Sequence, residues 1–228
     1  MTPRAKFDRS LIPERPDLSF EIKLWHDSCQ FVAGVDEAGR GAIAGPVAAG
    51  AVVLPNDLPD LSKKLKGVRD SKVMTAQKRE RWALDIKETA VSWGVGFATR
   101  EEIDARGIAP ATRLAVSRAL AQLVCVIDHV LVDYIKLPEI ETPQTALVKG
   151  DARSLSIAAA SILAKTARDA VMVEMDGEFP GYGFARNKGY GTEEHRRAVN
   201  ESGPCAQHRR TFTPVRVYLS LFPPMSRD

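Results

Sequence analysis

The sequence predicts an α/β domain in which a mixed sheet is flanked by helices and followed by a helical C-terminal segment. Three observations predict it. Residues 31–54, FVAGVDEAGRGAIAGPVAAGAVVL, carry more glycine than a helix tolerates and read as two buried strands joined by a glycine-rich turn. Three later apolar runs, VSWGVGFAT, HVLVDY and TALVKGD, read as further strands separated by helical stretches. Residues 155–177, LSIAAASILAKTARDAVMVEMDG, read as one long helix whose alanines suit close packing on a sheet. Strands first, then strands alternating with helices, argue for a mixed rather than a purely parallel sheet.

The elements follow in order. The polar stretch before Phe31 contains Pro13 and Pro16 and is expected to wrap the domain or fray, so residues 1–30 form an extension to a domain over 31–228. After the first two strands comes a charged loop, KKLKGVRDSK, then a helix from Thr75 to about Ala90. Thr99, with Glu102 three positions on, reads as a capping box. Residues 110–123 read as an amphipathic helix with Leu114, Ala115, Val116, Ala119, Leu120 and Leu123 on its apolar side. Thr192 starts a helix that Gly203 ends, and Thr213-Pro214 starts the last one, with proline at the first helical position.

Composition narrows the function. Hydrophobic residues are 44% and charged residues 27% of 228, an ordinary globular balance. No run approaches a bilayer span, and the N-terminus places charges and prolines where a secretion signal needs an apolar stretch. Cys29, Cys125 and Cys205 are scattered and odd in number, which fits a reduced compartment. A cytoplasmic, monomeric protein without membrane contact is expected. Net charge is +3, and from residue 181 onward eight Lys/Arg face four Asp/Glu. That basic segment reads either as a phosphate-facing patch or as a solvated surface.

Acids in apolar settings carry the chemistry. Asp36-Glu37 ends an apolar strand, and since adjacent strand residues point to opposite faces, both converge only if the strand breaks there. Asp133 closes HVLV, and Asp151 follows TALVKG ahead of the long helix. Carboxylates gathered at three strand ends repel one another, and bound cations are what justifies the arrangement. Hard divalent ions take oxygen ligands, and a pair of them serves phosphodiester hydrolysis. Asp151 also reads as a helix N-cap and Asp133 as a turn starter. No GxxxxGK[ST] loop, dinucleotide fingerprint or serine elbow competes. His26 and His129 read as structural or solvated, and His195 and His208 lie too far apart for a helical metal pair.

VAGVDEAGRGAIAGPV closely resembles the opening motif of the type 2 ribonucleases H (ribonuclease HII). LVDY, VKGDARSLSIAAASILAKTARD and NKGYGTEEH leading to HRRTF follow in the family's order, and Asp70-Ser71-Lys72 matches as well. The resemblance spans roughly Phe31 to Val215. It implies a ribonuclease H-like fold and a two-metal site for Mg²⁺ or Mn²⁺. By position, Asp36, Glu37, Asp133 and Asp151 would be the metal-binding, catalytic carboxylates. Gly39-Arg40-Gly41 would read a ribonucleotide 2′-hydroxyl, the group that separates RNA from DNA. Tyr190, beside Lys188 and Gly189, would pack near the following deoxyribose; without the family it reads as an ordinary half-buried tyrosine.

Lys149, Lys165, Arg168, Arg209 and Arg210 are candidates for phosphate contacts, with Lys165 equally suited to pair with Asp169. The implied partners are RNA–DNA hybrids and duplex DNA carrying ribonucleotides, cut 5′ to the ribonucleotide. An all-DNA nuclease and a non-catalytic binder of nucleic acid are the rival readings. The chain departs from the family at Tyr134, where bacterial members usually have glycine, and at Val73-Met74. Gly-Arg-Gly and the short N-terminal stretch disfavour the type 3 relatives.

Overall fold

The computed structural model describes residues 7–222. In chain order it places α1 (Ser19–His26), β1 (Val32–Ala38), β2 (Val47–Val53), α2 (Leu61–Lys64), α3 (Ala76–Thr89), β3 (Ser92–Ala98), α4 (Arg100–Arg106), α5 (Ile108–Leu120), β4 (His129–Asp133), β5 (Gln144–Leu147), α6 (Leu155–Glu178), α7 (Phe184–Asn187), α8 (Glu193–Ser202) and α9 (Val215–Leu221). The sheet order is β3-β2-β1-β4-β5. β1 pairs antiparallel with β2, and β2 with β3; β1 pairs parallel with β4, and β4 with β5. The expected mixed sheet is therefore present.

Helices cover both faces of the sheet. Cβ atoms added at Gly34 of β1 and Gly96 of β3 would meet backbone of α6 and α5 at 2.3 Å and 2.2 Å, so only glycine lets those helices sit this close. Ala158, Ala159, Ala160 and Leu163 of α6 join Leu54, Leu65 and Ile86 in one core layer. Val35, Val47, Val130 and Val132 meet Ala111, Ala115 and Ala119 of α5 in the other. Each large aliphatic side chain buried this way contributes about 1.5–3 kcal/mol. Because β1 is buried on both faces, a one-residue slip would exchange its two sets of side chains, which pins the register Asp36↔Gly50.

The N-terminal stretch packs on the domain rather than fraying over α1. Glu21 is fully buried, and its Oε1 accepts from Ser154 Oγ (2.6 Å), Ser156 Oγ (2.6 Å) and Ser156 N (2.9 Å), tying α1 to the start of α6.

The caps agree with expectation at Thr75, Thr99 with Glu102, Thr192 and Gly203. Several details differ. The short helix α2 runs into the first two residues of the charged loop. The helix expected from Pro110 starts at Ile108, behind the separate α4 that the Thr99 box caps. Pro214 is the N-cap of α9 and not its first helical residue. The final residues of RVYLSLFPPMSRD lie outside the described residues. Among the described residues no helix is long and apolar enough to cross a membrane.

Candidate active site

Three carboxylates meet at one end of the sheet. Asp36, Asp133 and Asp151 each offer one oxygen, and these atoms all lie within 4.8 Å of one another. Asp36 comes from central strand β1 and Asp133 from the end of β4. Asp151 sits in a 3₁₀ turn, Gly150–Ala152, that precedes α6. That turn begins with Lys149 in the left-handed region (φ 59°), and its Gly150 N–H donates to Asp133 Oδ1 at 2.7 Å. Ser154 caps α6 by accepting from Ile157 N, so Asp151 is not spent as a helix cap.

The anticipated break at Asp36-Glu37 does not occur. β1 runs on to Ala38 and stays paired with β2 through Ala38↔Ala48. Ordinary pleating therefore sends Glu37 to the opposite side from Asp36. Glu37 lies outside the close triad, with its Oε1 3.3 Å from Arg40 Nη1, yet both acids line the same cleft of about 180 Å³. Gly39, Arg40, Gly41, Ser71, Lys72, Lys165 and Tyr190 complete its walls.

Burial makes the carboxylates reluctant to ionise together. Desolvation raises Asp36 well above the usual range; Glu37, Asp133 and Asp151 add to the rise, and the Ser161 hydroxyl works against it. Asp133 is pushed to about 6, chiefly by burial and then by Asp151. Glu37 is raised by burial, with Arg40 and Lys72 pulling it back. Asp36 Oδ2 is buried and has no hydrogen-bond partner among the described residues. An unpartnered carboxylate oxygen inside a close acidic triad fits a hard divalent cation, which takes oxygen ligands and supplies the missing positive charge.

Lys72 is the residue that sequence reasoning misses. Its Nζ lies 3.3 Å from Asp151 Oδ2 and 3.9 Å from Asp70 Oδ1. Burial pulls its pKa down, but Asp151, Asp36 and Asp70 outweigh that and raise it. The signal was the Asp70-Ser71-Lys72 match, which has no periodicity to show that Lys72 turns toward the acids.

The Gly-Arg-Gly turn is held from behind. Arg209 is fully buried and donates to the carbonyls of Gly39 (2.8 Å), Arg40 (3.0 Å), Gly45 (3.0 Å) and Pro46 (3.1 Å). Arg168, equally buried, donates to Ala44 (3.2 Å), Pro46 (2.8 Å) and Lys188 (2.9 Å) carbonyls. Gly39 has φ 91°, and a Cβ there would lie 1.9 Å from Arg168 Nε, so this position accepts only glycine. These placements correct the reading of Arg168 and Arg209 as phosphate contacts, because their donors are turned inward onto carbonyls.

Tyr190 borders the cleft, with Lys165 Nζ 5.4 Å from its ring centre. A chain of hydrogen bonds runs behind it. His195 Nδ1 lies 2.9 Å from the Tyr190 carbonyl, His195 Nε2 lies 3.0 Å from His208 Nε2, and Cys205 N–H donates to His208 Nδ1 at 3.0 Å. One pattern satisfies all three: His195 Nδ1–H and His208 Nε2–H donate, and both rings are neutral. The two histidines, distant in sequence, thus meet in the core. Burial lowers both pKa values, His208 to about 4, where His195 adds to the effect.

Of the remaining candidates, only Lys165 lines the cleft with the acids. Lys149 is exposed. Lys188 Nζ turns to the Ala185 carbonyl and borders a hollow beside Arg79 and Asp169. Lys165 Nζ pairs with Asp169 at 2.7 Å while lining the cleft. Arg210 is exposed, and its backbone N–H donates to Asp104. Tyr134 is 63% exposed with φ 61°, a left-handed conformation that favours glycine.

Comparison with known proteins shows the family. Residues 33–215 match the family described as ribonuclease HII. A ribonuclease HII of Chloroflexus aurantiacus is 54% identical over 203 residues, covering 88% of this chain and 94% of the relative. One from a Synechococcus species is 51% identical over 202 residues, covering 89% and 90%. The crystal structure of ribonuclease H2 from Pyrococcus horikoshii superposes with a TM-score of 0.68 at 26% identity, covering 84% of this chain and 98% of that one. On the family match, the relatives and the shared fold, the chain belongs to the ribonuclease HII family of endoribonucleases.

Proposed function

We propose that the protein hydrolyses the RNA strand of RNA–DNA hybrids and nicks duplex DNA on the 5′ side of embedded ribonucleotides, leaving 3′-hydroxyl and 5′-phosphate ends. The observation that carries this reading is the Asp36, Asp133 and Asp151 triad, with its unpartnered Asp36 Oδ2, facing a cleft walled by Gly39, Arg40, Gly41 and Tyr190. Asp36, Asp133 and Asp151 would hold two divalent ions, with Glu37 reaching the pair from the neighbouring side. When bound, Mg²⁺ or Mn²⁺ supplies the charge that lets these acids ionise together, activates water and stabilises the leaving 3′-oxygen. Gly150 N–H and Lys72 orient Asp133 and Asp151. The Gly39-Arg40-Gly41 backbone, whose Gly39 and Arg40 carbonyls Arg209 draws inward, is free to present amides to a 2′-hydroxyl. Tyr190 would pack on the following sugar and favour one without that hydroxyl. Lys149 and Lys188 would serve the strand only outside the cleft. The catalytic unit is residues 31–228, with residues 1–30 as an extension whose described part docks through Glu21.

The test is cleavage of a labelled DNA duplex holding one ribonucleotide, with Mg²⁺, with Mn²⁺ and with EDTA, beside an all-DNA duplex. A single nick 5′ to the ribonucleotide that disappears with EDTA is expected. Cutting of both duplexes would remove the ribonucleotide-specific role of Gly39–Gly41 and Tyr190; no cutting with either metal would remove the enzymatic reading of the acids.

A further inference from the structure

Two of the eight cations from residue 181 onward are turned to protein partners. Arg209 is buried on carbonyls, and Arg186 pairs with Glu194. Uncompensated charge gathers elsewhere, in an open groove of about 730 Å³ between the 66–74 segment, α3 and the chain near Arg15. Five cations line it: Arg15, Lys66, Arg69, Lys78 and Arg81. Two carboxylates, Glu14 and Asp85, oppose them, so this one groove carries an excess of three charges, as large as that of the whole chain. All five cations are exposed. Arg15 lies 3.8 Å from Glu14, and the other four make no ion pair among the described residues.

The groove and the cleft are lined by neighbouring residues of one segment. Lys66 and Arg69 line the groove, Ser71 and Lys72 line the cleft, and Met74 returns to the groove. The 66–74 segment thus forms the rim that both share. Its floor is firm: Trp82 packs under Gly67, where a Cβ would lie 2.1 Å from the ring, and Trp82 also packs against the core beside Leu65 and Val68. Like charges held together on a rigid wall repel one another and cost stability unless an anion visits them.

We propose that this groove binds the sugar-phosphate backbone of the duplex flanking the cleavage site, an exosite that adds affinity without reading sequence. The proposal rests on the nuclease reading of the neighbouring cleft. A polyanion entering the cleft is the ligand whose charge, length and position match a row of exposed cations on the shared rim, and each neutralised phosphate releases counterions.

The experiment compares wild type with the K66A/R69A/K78A/R81A variant on two hairpin duplexes, each with one ribonucleotide. One spans about one helical turn of 10 base pairs around it, the other about three turns. Binding is read by fluorescence anisotropy in EDTA at several salt concentrations, and cleavage by KM and kcat with Mg²⁺. On the long duplex the variant is expected to bind and to reach half-saturation at least tenfold more weakly, with kcat unchanged. Its plot of log affinity against log salt should be shallower by about 3.6, close to 0.9 for each of the four lost contacts. The short duplex should hardly distinguish the two proteins. A K66E/R69E variant, unchanged in fold by circular dichroism, should weaken long-duplex binding further. Equal anisotropy and equal salt slopes for wild type and both variants on the long duplex would overturn the proposal. Because anisotropy needs no turnover, a wild type that binds but does not cut would count against the nuclease reading while leaving the groove tested.

Discussion

The cleft and the brace behind it share the Gly39-Arg40 turn and treat buried charge in opposite ways. Behind the Gly-Arg-Gly turn, Arg168 and Arg209 are fully buried, and each places its guanidinium on three or four carbonyls. His195 and His208 stay neutral in a hydrogen-bonded row. On the cleft side, Asp36 is just as deeply buried, yet one oxygen has no partner and three other acids crowd it. A satisfied polar network stiffens its surroundings, whereas an unsatisfied one stores unfavourable energy that a ligand can release. The difference separates scaffold from site.

Neutralising the acids should produce the largest effect. Asp36→Asn or Asp133→Asn is expected to cut the rate of ribonucleotide cleavage by about 10³-fold or more, because several kcal/mol of transition-state charge stabilisation depends on those oxygens. Single-turnover cleavage with saturating Mg²⁺ measures it, and near-normal rates in both variants would dissolve the contrast.

Stability should change in opposite directions in the two regions. Arg209→Met strands four inward carbonyls and is expected to cost about 3–5 kcal/mol in urea unfolding. Asp133→Asn relieves a crowded carboxylate and should stabilise the metal-free protein by on the order of 2 kcal/mol at neutral pH, since its pKa lies near 6. Adding Mg²⁺ should raise the melting temperature of wild type and leave that of Asp36→Asn nearly unmoved. If both substitutions destabilise alike, the acids are scaffold as much as the arginines are.

Acidification sharpens the same comparison. The folded pKa of His208, about 4, is below its unfolded value, so the folded state binds fewer protons between about pH 4 and 6.5. The histidine row therefore contributes fully above about pH 6.5, and its stability is lost as pH falls toward 4. Wild type should lose about 3 kcal/mol more than His208→Gln across that window. Carboxylates titrate in both proteins, so the difference between the two profiles isolates the histidine; parallel profiles would show that the row is not what burial makes it.

Legibility in the sequence follows the same divide. Asp36, Asp133 and Asp151 stand out because a carboxylate after an apolar run is out of place whatever the fold, and strand order at the sheet end then gathers them. The sheet itself is legible from FVAGV, VAAGAVV and HVLV, whose glycine and β-branched residues leave little alternative. Arg168 and Arg209 are not legible, since their carbonyl partners include Pro46 and Gly39, 122 and 170 positions away, and carbonyls have no sequence identity. The unbroken β1 was missed because glycines after Glu37 suggested a break, whereas pairing with β2 holds the strand straight past both acids. His195 and His208 meet through the bridges Ala42↔Tyr190 and Ala44↔His208, which no spacing rule encodes.

Lys165 belongs to neither side by position and gives the smallest, most discriminating test. Its ammonium is 2.7 Å from Asp169 Oδ1, with side-chain exposures of 16% and 11%, and it also lines the cleft. Asp169 has a second partner in Arg79 Nη2 at 2.8 Å, so it would not be stranded by losing the lysine. Lys165→Met is therefore expected to cost about 1 kcal/mol or less in urea unfolding. Turning the ammonium toward a phosphate would give up an ion pair already in place and nearly dry, so kcat should stay within about threefold of wild type, a barrier change under 1 kcal/mol. A KM rise of about tenfold or more at unchanged stability would instead place Lys165 with the substrate. In that case the boundary between scaffold and site would pass through the Lys165–Asp169 pair, and Arg79 would be what holds Asp169 when the lysine leaves.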